Sequence, residues 1–298
     1  MHADAPQRTI VKLPDCLKDI YAFERVLKME DRLSAADGID MSAVTFIEPY
    51  SMAGLLLAGR SRLRATGEKT MLTKVSLPVH QYLSRMNFFS QGVFTEERPL
   101  SPKQALARSA FSRRVIEITP IPNKERESVK AINGAVSLFR QRASHILKFF
   151  MAGSTADMMV TAISELWQNV FEHSLDSGFF TAQAYEYEKA HVVRIVIADS
   201  GVGIDGSFED KKSAVTERGA ELLQKVVLMP VSSKRTYGFG LCQVHGIMNR
   251  LGGNLFLRSG SSSAIFIAKG ARSGTFLKNG LAPFAGTQIS LTLTSEKK

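Results

Sequence analysis

The chain has 298 residues, with 38 Lys and Arg against 28 Asp and Glu for a net charge of +10, and 44% of its residues are hydrophobic. These are globular proportions that exclude a fibrous or disordered chain, and the length admits one large domain or two ordinary ones, each able to bury a core without staples. No apolar run approaches the ~20 residues a spanning helix needs, the start Met1-His2-Ala3-Asp4-Ala5-Pro6 lacks a basic-then-apolar layout, and Cys16 and Cys242 stand far apart at no metal-ligand spacing, so a cytoplasmic, disulfide-free protein is expected.

Residues 1–100 alternate strand and helix patterns. Thr9–Leu13 reads as a strand and Ile20–Arg32 as a helix with apolar spacing at Ile20, Phe23 and Leu27. Ile39–Ile47 reads as a buried strand closed by Pro49, and Ser51–Thr66 as a helix whose basic end, Arg60, Arg62 and Arg64, suits the dipole, with Gly67 as its C-cap. Lys69–Val75 is a further strand and Val79–Met86 a short helix. This order predicts a small α/β domain over 1–100.

Residues 101–113, rich in charge and preceded by Pro99, predict a linker. Residues 101–150 hold 10 basic and 3 acidic side chains, so the basicity is concentrated in Lys103–Lys148. That segment is either a patch for an acidic partner or nucleic acid, or a solvated linker and helix face; its aromatic residues are Phe111 and Phe139 alone, fewer than a base-stacking surface would require. Arg114–Ile118 reads as a strand broken by Pro120 and Pro122, and Glu125–Phe150 and Thr155–His173 as helices, the latter with Ser154 or Thr155 as N-cap. Phe180–Tyr187 and His191–Ala198 form a predicted hairpin, followed by a glycine-rich turn and an irregular charged region to Tyr237. Leu241–Leu251 is a helix ended by Gly252-Gly253, and Asn254–Leu257, Ala264–Lys269 and Thr287–Thr294 are strands. Residues 114–298 therefore predict a two-layer α+β domain with helices on one face of antiparallel strands.

Four pieces in this second region carry chemistry. Glu165, Asn169 and His173 recur every four residues and form one polar stripe on a helix whose apolar face is Ile163, Leu166, Trp167 and Val170. A carboxylate and a carboxamide one turn apart can polarise a water and hold a Mg²⁺ oxygen shell. Asp199-Ser200-Gly201-Val202-Gly203 follows an apolar strand, so a carboxylate at a strand end is followed by glycines that permit close backbone approach. Tyr237-Gly238-Phe239-Gly240 opens a helix, where free N–H groups and the dipole favour anions, with Ser232, Ser233, Lys234 and Arg235 upstream. Gly286-Thr287 precedes the last strand. The Tyr237–Gly240 stretch is neither a phosphate-binding GxxxxGK[ST] loop nor a GxGxxG following a strand.

In this order the four motifs resemble the Bergerat ATP-binding fold, the superfamily of gyrase B, Hsp90, sensor histidine kinases and MutL, over roughly 110–298. Glu-Leu-x-x-Asn-x-x-x-His most resembles its anti-sigma-factor serine kinase branch. The resemblance implies ATP and Mg²⁺ as cofactors. It gives Asn169 to Mg²⁺ and the phosphates, Glu165 to the attacking hydroxyl as orienter or base, Asp199 to the adenine amino group, and Gly201 and Gly203 to the adenine pocket. It gives Gly238 and Gly240 to the phosphates, Thr287 to the adenine through water, His173 to a common position of the branch, and Lys234 to the lid. His145 lacks the surroundings of a phosphoacceptor histidine.

Ile39–Glu48 is similar to the central strand of STAS domains, the anti-sigma-factor antagonist fold, and with the element order this implies a STAS-like domain over 1–100. Pro49 and Tyr50 fill positions where that family carries serines, and Ser51 is displaced by one, so Ser51 is either a phosphoacceptor or an ordinary N-cap. Three functions follow from the resemblances and the charge: an ATP-dependent protein serine/threonine kinase acting on an antagonist or sigma-like protein partner; a nucleotide-gated interaction module with weak ATPase, closed by a lid over Ser207–Tyr237; or a nucleic-acid-binding regulator using Lys103–Lys148. The fused N-terminal domain is expected to occupy in cis the face a free partner would use. No membrane partner is expected, and a homodimer is compatible with each reading.

Overall fold

The computed structural model describes residues 9–29, 33–104, 112, 114–121, 134, 137, 140–144, 146–147, 151–173, 178–209, 215–231 and 240–296, with backbone only at 171–173. The chain is mixed α/β, with one parallel and one antiparallel principal sheet, and divides into two compact units, Met1–Ala110 and Phe111–Lys298. No described helix is long and apolar enough to cross a membrane.

The first unit holds β1 (Ile10–Lys12), β2 (Cys16–Leu17), α1 (Ile20–Met29), β3 (Gly38–Asp40), β4 (Phe46–Ile47), α2 (Pro49–Thr66), β5 (Thr70–Thr73), α3 (Leu77–Arg85) and β6 (Phe94–Glu96). β1, β3, β5 and β6 form a parallel sheet in that order, and β2 pairs with β4 in a second, two-stranded sheet. The expected strand Ile39–Ile47 is therefore two short strands in different sheets, separated by a turn in which Val44 N–H donates to Met41 O at 2.9 Å. Pro49 does not close a strand but opens α2, where its missing N–H costs nothing.

The first half of α2 is buried on all sides. A methyl group on Gly54 would lie 2.3 Å from the Phe23 ring, and one on Gly59 would lie 2.8 Å from Phe94. Two rings thus pack directly on the helix backbone. Gly67 caps the helix in the left-handed region (φ 75°), its N–H donating to Leu63 O, as expected. Arg62 does not serve the dipole: it is buried, donating from Nη2 to Asp37 Oδ1 at 2.6 Å and from Nη1 to Ala35 O at 2.9 Å. Nor is Ser51 a cap. Glu48 holds the N-cap position, and Ser51 lies within the first turn at 0% exposure, its hydroxyl donating to Leu17 O at 3.3 Å. A hydroxyl so placed is closed to a modifying enzyme while the unit stays folded.

The second unit holds β7 (Val115–Ile121), α4 (Gly153–His173), β8 (Gly178–Glu186), β9 (Ala190–Asp199), α5 (Gly203–Glu209), α6 (Gly219–Leu228), α7 (Gly240–Leu251), β10 (Asn254–Gly260), β11 (Ser262–Ile267), β12 (Gly274–Lys278) and β13 (Phe284–Glu296). Its seven strands lie in the order β12-β11-β10-β13-β9-β8-β7, every pairing antiparallel. Alternate residues of adjacent strands, such as Val193, Ile195 and Ile197 beside Ile289, Leu291 and Leu293, share one core with α4, α6 and α7. Trp167 lies in that core, stacked on Phe180 with ring centres 6.2 Å apart.

Three sequence expectations for this unit change. Pro120 does not break β7: the strand runs on to Ile121, because it lies at a sheet edge and carries a register shift between Ile116 and Thr119, where a proline's missing N–H is tolerated. α4 begins at Gly153, so Ser154 and Thr155 sit inside its first turn rather than capping it. The region expected to be irregular up to Tyr237 contains α5 and α6. Most of the expected helix Glu125–Phe150, and with it much of Lys103–Lys148 and His145, lies outside the described residues, although 140–144 is helical.

At the end of β3, Asp40 accepts hydrogen bonds from Lys74 Nζ at 2.7 Å and from the Ser42 N–H at 2.8 Å. The Lys74 contact first, then Ser42, hold this carboxyl well below the usual carboxylate range. Its contribution to stability is complete above the unfolded value of about 3.9 and is lost as pH falls below it. Lys74→Met is expected to move the Asp40 titration upward in a carboxyl-carbon NMR experiment, and to shrink the loss of stability between about pH 4 and pH 2.

Candidate functional site

α4 presents the predicted polar stripe. Ile163, Leu166, Trp167 and Val170 are buried, while Glu165 is half-buried and Asn169 exposed. The N-terminus of α7 rests on this stripe. A methyl group on Gly240 would lie 3.3 Å from Glu165 Cβ, 3.4 Å from Glu165 Oε2 and 3.5 Å from Asn169 Nδ2. The first turn of a twelve-residue helix thus lies within side-chain contact distance of the carboxylate and carboxamide.

A second group forms at the strand ends. Val193, Ile195 and Ile197 face the helices, so the strand period puts Asp199 on the same face. By the same count Thr287 follows Ile289, and Ser259 follows Leu255 and Leu257. Ser259 and Thr287 are opposite each other in the β10–β13 pairing. Asp199 is 7% exposed, and its Oδ1 accepts the Gly201 N–H at 2.8 Å. Gly203 takes a left-handed φ of 75° at the start of α5. The Ser259 hydroxyl accepts from Ile204 N–H at 2.8 Å and donates to Gly286 O at 3.2 Å, joining the two glycine turns. Gly286 is left-handed (φ 84°), and a methyl group there would lie 1.9 Å from Asp199 O.

Gly178 connects the two groups. It pairs with Asp199 across β8 and β9, and a methyl group on it would lie 2.6 Å from Val170 Cγ1 and 3.4 Å from Asp199 Cβ. The residue after Asn169 therefore abuts the strand end that carries Asp199. Glu165, Asn169 and Gly240 form one group; Asp199, Gly201, Gly203 and Thr287 form another; and α4 borders both. Lys234 and Gly238 lie outside the described residues, as does the side chain of His173. Among the described residues, no group of three or more His, Cys, Asp or Glu is placed to hold a metal ion.

Three contributors escaped the sequence reading. Gly178 is legible only as the start of a strand. Ser259 is one hydroxyl in a serine-rich stretch and carries no signal of its own. Asn279 Oδ1, in the turn after β12, accepts the Ala220 N–H at 2.8 Å and so caps α6 together with Asp205 of α5, whose Oδ1 accepts the Gly219 N–H at 2.9 Å. No protein-family model matches the chain, and no curated protein matches it significantly.

The crowding at Gly286 is testable against an open glycine. Gly280 is also left-handed (φ 69°) but has nothing within 4 Å of an added methyl group. In denaturant unfolding, Gly280→Ala is expected to cost about 1–2 kcal/mol, the intrinsic left-handed penalty. Gly286→Ala is expected to cost more than about 3 kcal/mol, since backbone must move as well.

Proposed function

We propose that the second unit binds ATP with Mg²⁺ and acts as a regulatory switch on a protein partner, in the manner of anti-sigma-factor serine kinases. The observation that carries this reading is the seating of Gly240 on Glu165 and Asn169, beside strand ends that bear Asp199 and Thr287. Motifs far apart in sequence come to one end of a helix-covered sheet, with glycines where backbone approaches closely.

The residues fit such a ligand. Asp199 offers a largely buried carboxylate edge to an exocyclic amino group, and the turn of Gly201 and Gly203 leaves a floor without side chains. Thr287 sits on the adjacent strand, on the same face. Asn169 offers a neutral oxygen, suited to a cation that keeps most of its waters and takes its remaining ligands from phosphate. The first N–H groups of α7 face the same space and suit the phosphates themselves. Bound ATP would supply a transferable γ-phosphoryl group with its charge partly neutralised by Mg²⁺. Glu165, one turn from Asn169, is placed to orient an incoming hydroxyl and take its proton. The proposed acceptor is a Ser or Thr of a partner protein; Ser51 of the chain's own first unit is fully buried and does not serve.

Titration calorimetry on the full chain tests the reading. ATP with Mg²⁺ is expected to bind at one site per chain. Asp199→Asn is expected to weaken binding at least about tenfold, and Asn169→Ala to remove its dependence on Mg²⁺. Glu165→Gln is expected to retain binding but lose transfer of labelled phosphate or hydrolysis by at least about a hundredfold. Absence of a nucleotide-dependent heat in the wild type would overturn the proposal. Binding with hydrolysis but no transfer to any protein hydroxyl would leave a nucleotide-gated module in place of a kinase.

A further inference from the structure

Away from the strand ends, the opposite edge of the antiparallel sheet carries a second feature. β12 is the terminal strand, paired only with β11 among the described residues, and all five of its residues are exposed. Its sequence, Gly274-Thr275-Phe276-Leu277-Lys278, has no proline and no inward charge, and Lys278 at its end is its one device of the kind that blunts a free edge. Phe276 is 48% and Leu277 38% exposed. A row of backbone N–H and C=O groups is thus offered beside apolar side chains.

The pairing of Thr275 with Phe266 and of Leu277 with Ala264 puts Thr275 and Leu277 on the helix-covered face, and Phe276 and Lys278 on the other. Where β12 begins, a cavity of about 270 Å³ opens on the helix side, lined by His245, Met248 and Asn249 of α7, Phe266 of β11, and Gly274 and Thr275. A side chain opposite Thr275 on an added strand would face this cavity.

Charge selects the occupant. From residue 222 to residue 295 the chain has eight Lys and Arg and no Asp or Glu. Lys269, Arg272 and Lys278 are exposed around the hairpin. Glu221 of α6 reaches the turn after β12, where Asn279 Nδ2 donates to it at 3.2 Å. A second copy of this edge would bring like charges together.

We infer that β12 is a docking edge for an extended segment of a partner protein in which apolar residues alternate with Asp or Glu. The segment adds to the sheet through backbone hydrogen bonds, sets apolar side chains toward the cavity and Leu277, and turns its carboxylates toward Lys278 and the basic loop. This surface does not depend on the nucleotide reading. The aligned amides favour a peptide over nucleic acid, which offers no backbone amides to pair.

Fluorescence anisotropy on the full chain tests the inference, with a labelled, end-blocked peptide of alternating Val and Glu about eight residues long as the probe. Saturable binding is expected, weakened at least about tenfold by Arg272→Glu with Lys278→Glu and by N-methylation of the peptide backbone. Slowed hydrogen exchange is expected at Gly274–Lys278. Both substitutions are at exposed positions, and circular dichroism checks that the fold is kept. No saturation up to about 1 mM would overturn the proposal. Equal binding of the N-methylated peptide, or unchanged exchange at β12, would overturn it as well. Displacement of the peptide by oligothymidylate that leaves β12 exchange unprotected would assign the basic surface to nucleic acid instead.

Discussion

At position 286 there is room for a hydrogen atom and nothing larger. The carbonyl of Asp199 occupies the space that a side chain would take, and the backbone is left-handed there. This contact fixes how β9 ends and how β13 begins. The pairing of Ala198 with Gln288 starts one of the two longest ladders in the sheet, and it brings the turn after Asp199 beside the turn before Thr287. Ser259 then spans both turns with a single hydroxyl, accepting from one and donating to the other. The candidate site is thus set by backbone crowding first and by side-chain chemistry second.

The same device recurs in the first unit with a different purpose. Gly54 and Gly59 let the Phe23 and Phe94 rings rest on the backbone of α2. The interior of a close-packed protein leaves few voids, so removing a side chain at one point draws a neighbour in. In α2 the neighbour is an aromatic ring, and the gain is buried area. At Gly240 the neighbours are a carboxylate and a carboxamide, and the packing is looser, since an added methyl group would meet them at 3.3 to 3.5 Å.

Much of this was legible because periodicity reports on the core. The stripe Glu165–Asn169–His173 and its apolar complement follow from helical spacing, and the apolar complement is buried where that spacing puts it. The strands of the hairpin were legible within two residues at their ends. What failed was context that lies far away in sequence. β7 tolerates Pro120 because it is an edge, which is a property of the sheet and not of the segment. α6 starts at Gly219, a poor helix opener, because Asp205 of α5 and Asn279 of the turn after β12 cap it. Arg62 reads as one cation in a basic helix end, yet Asp37, twenty-five residues earlier, holds it in the interior. Ser259 was invisible because hydroxyls in a strand look alike until their partners are known.

The run without carboxylates has a consequence for how the second unit takes up protons. Between Glu221 and Glu296 the only imidazole is His245, and burial holds it below its ordinary range. No carboxylate in that stretch takes up a proton as the solution turns acid, and its eight Lys and Arg stay positive. The carboxylate side chains of the unit, Glu165, Asp199, Asp205, Glu217 and Glu221 among them, precede it, with Glu296 alone after it. Carboxylate protonation in acid therefore falls, Glu296 aside, on the part of the unit's chain that precedes this stretch. Acidification changes the unit's charge asymmetry as well as its net charge, and weakens the attraction between its acidic groups and this basic stretch.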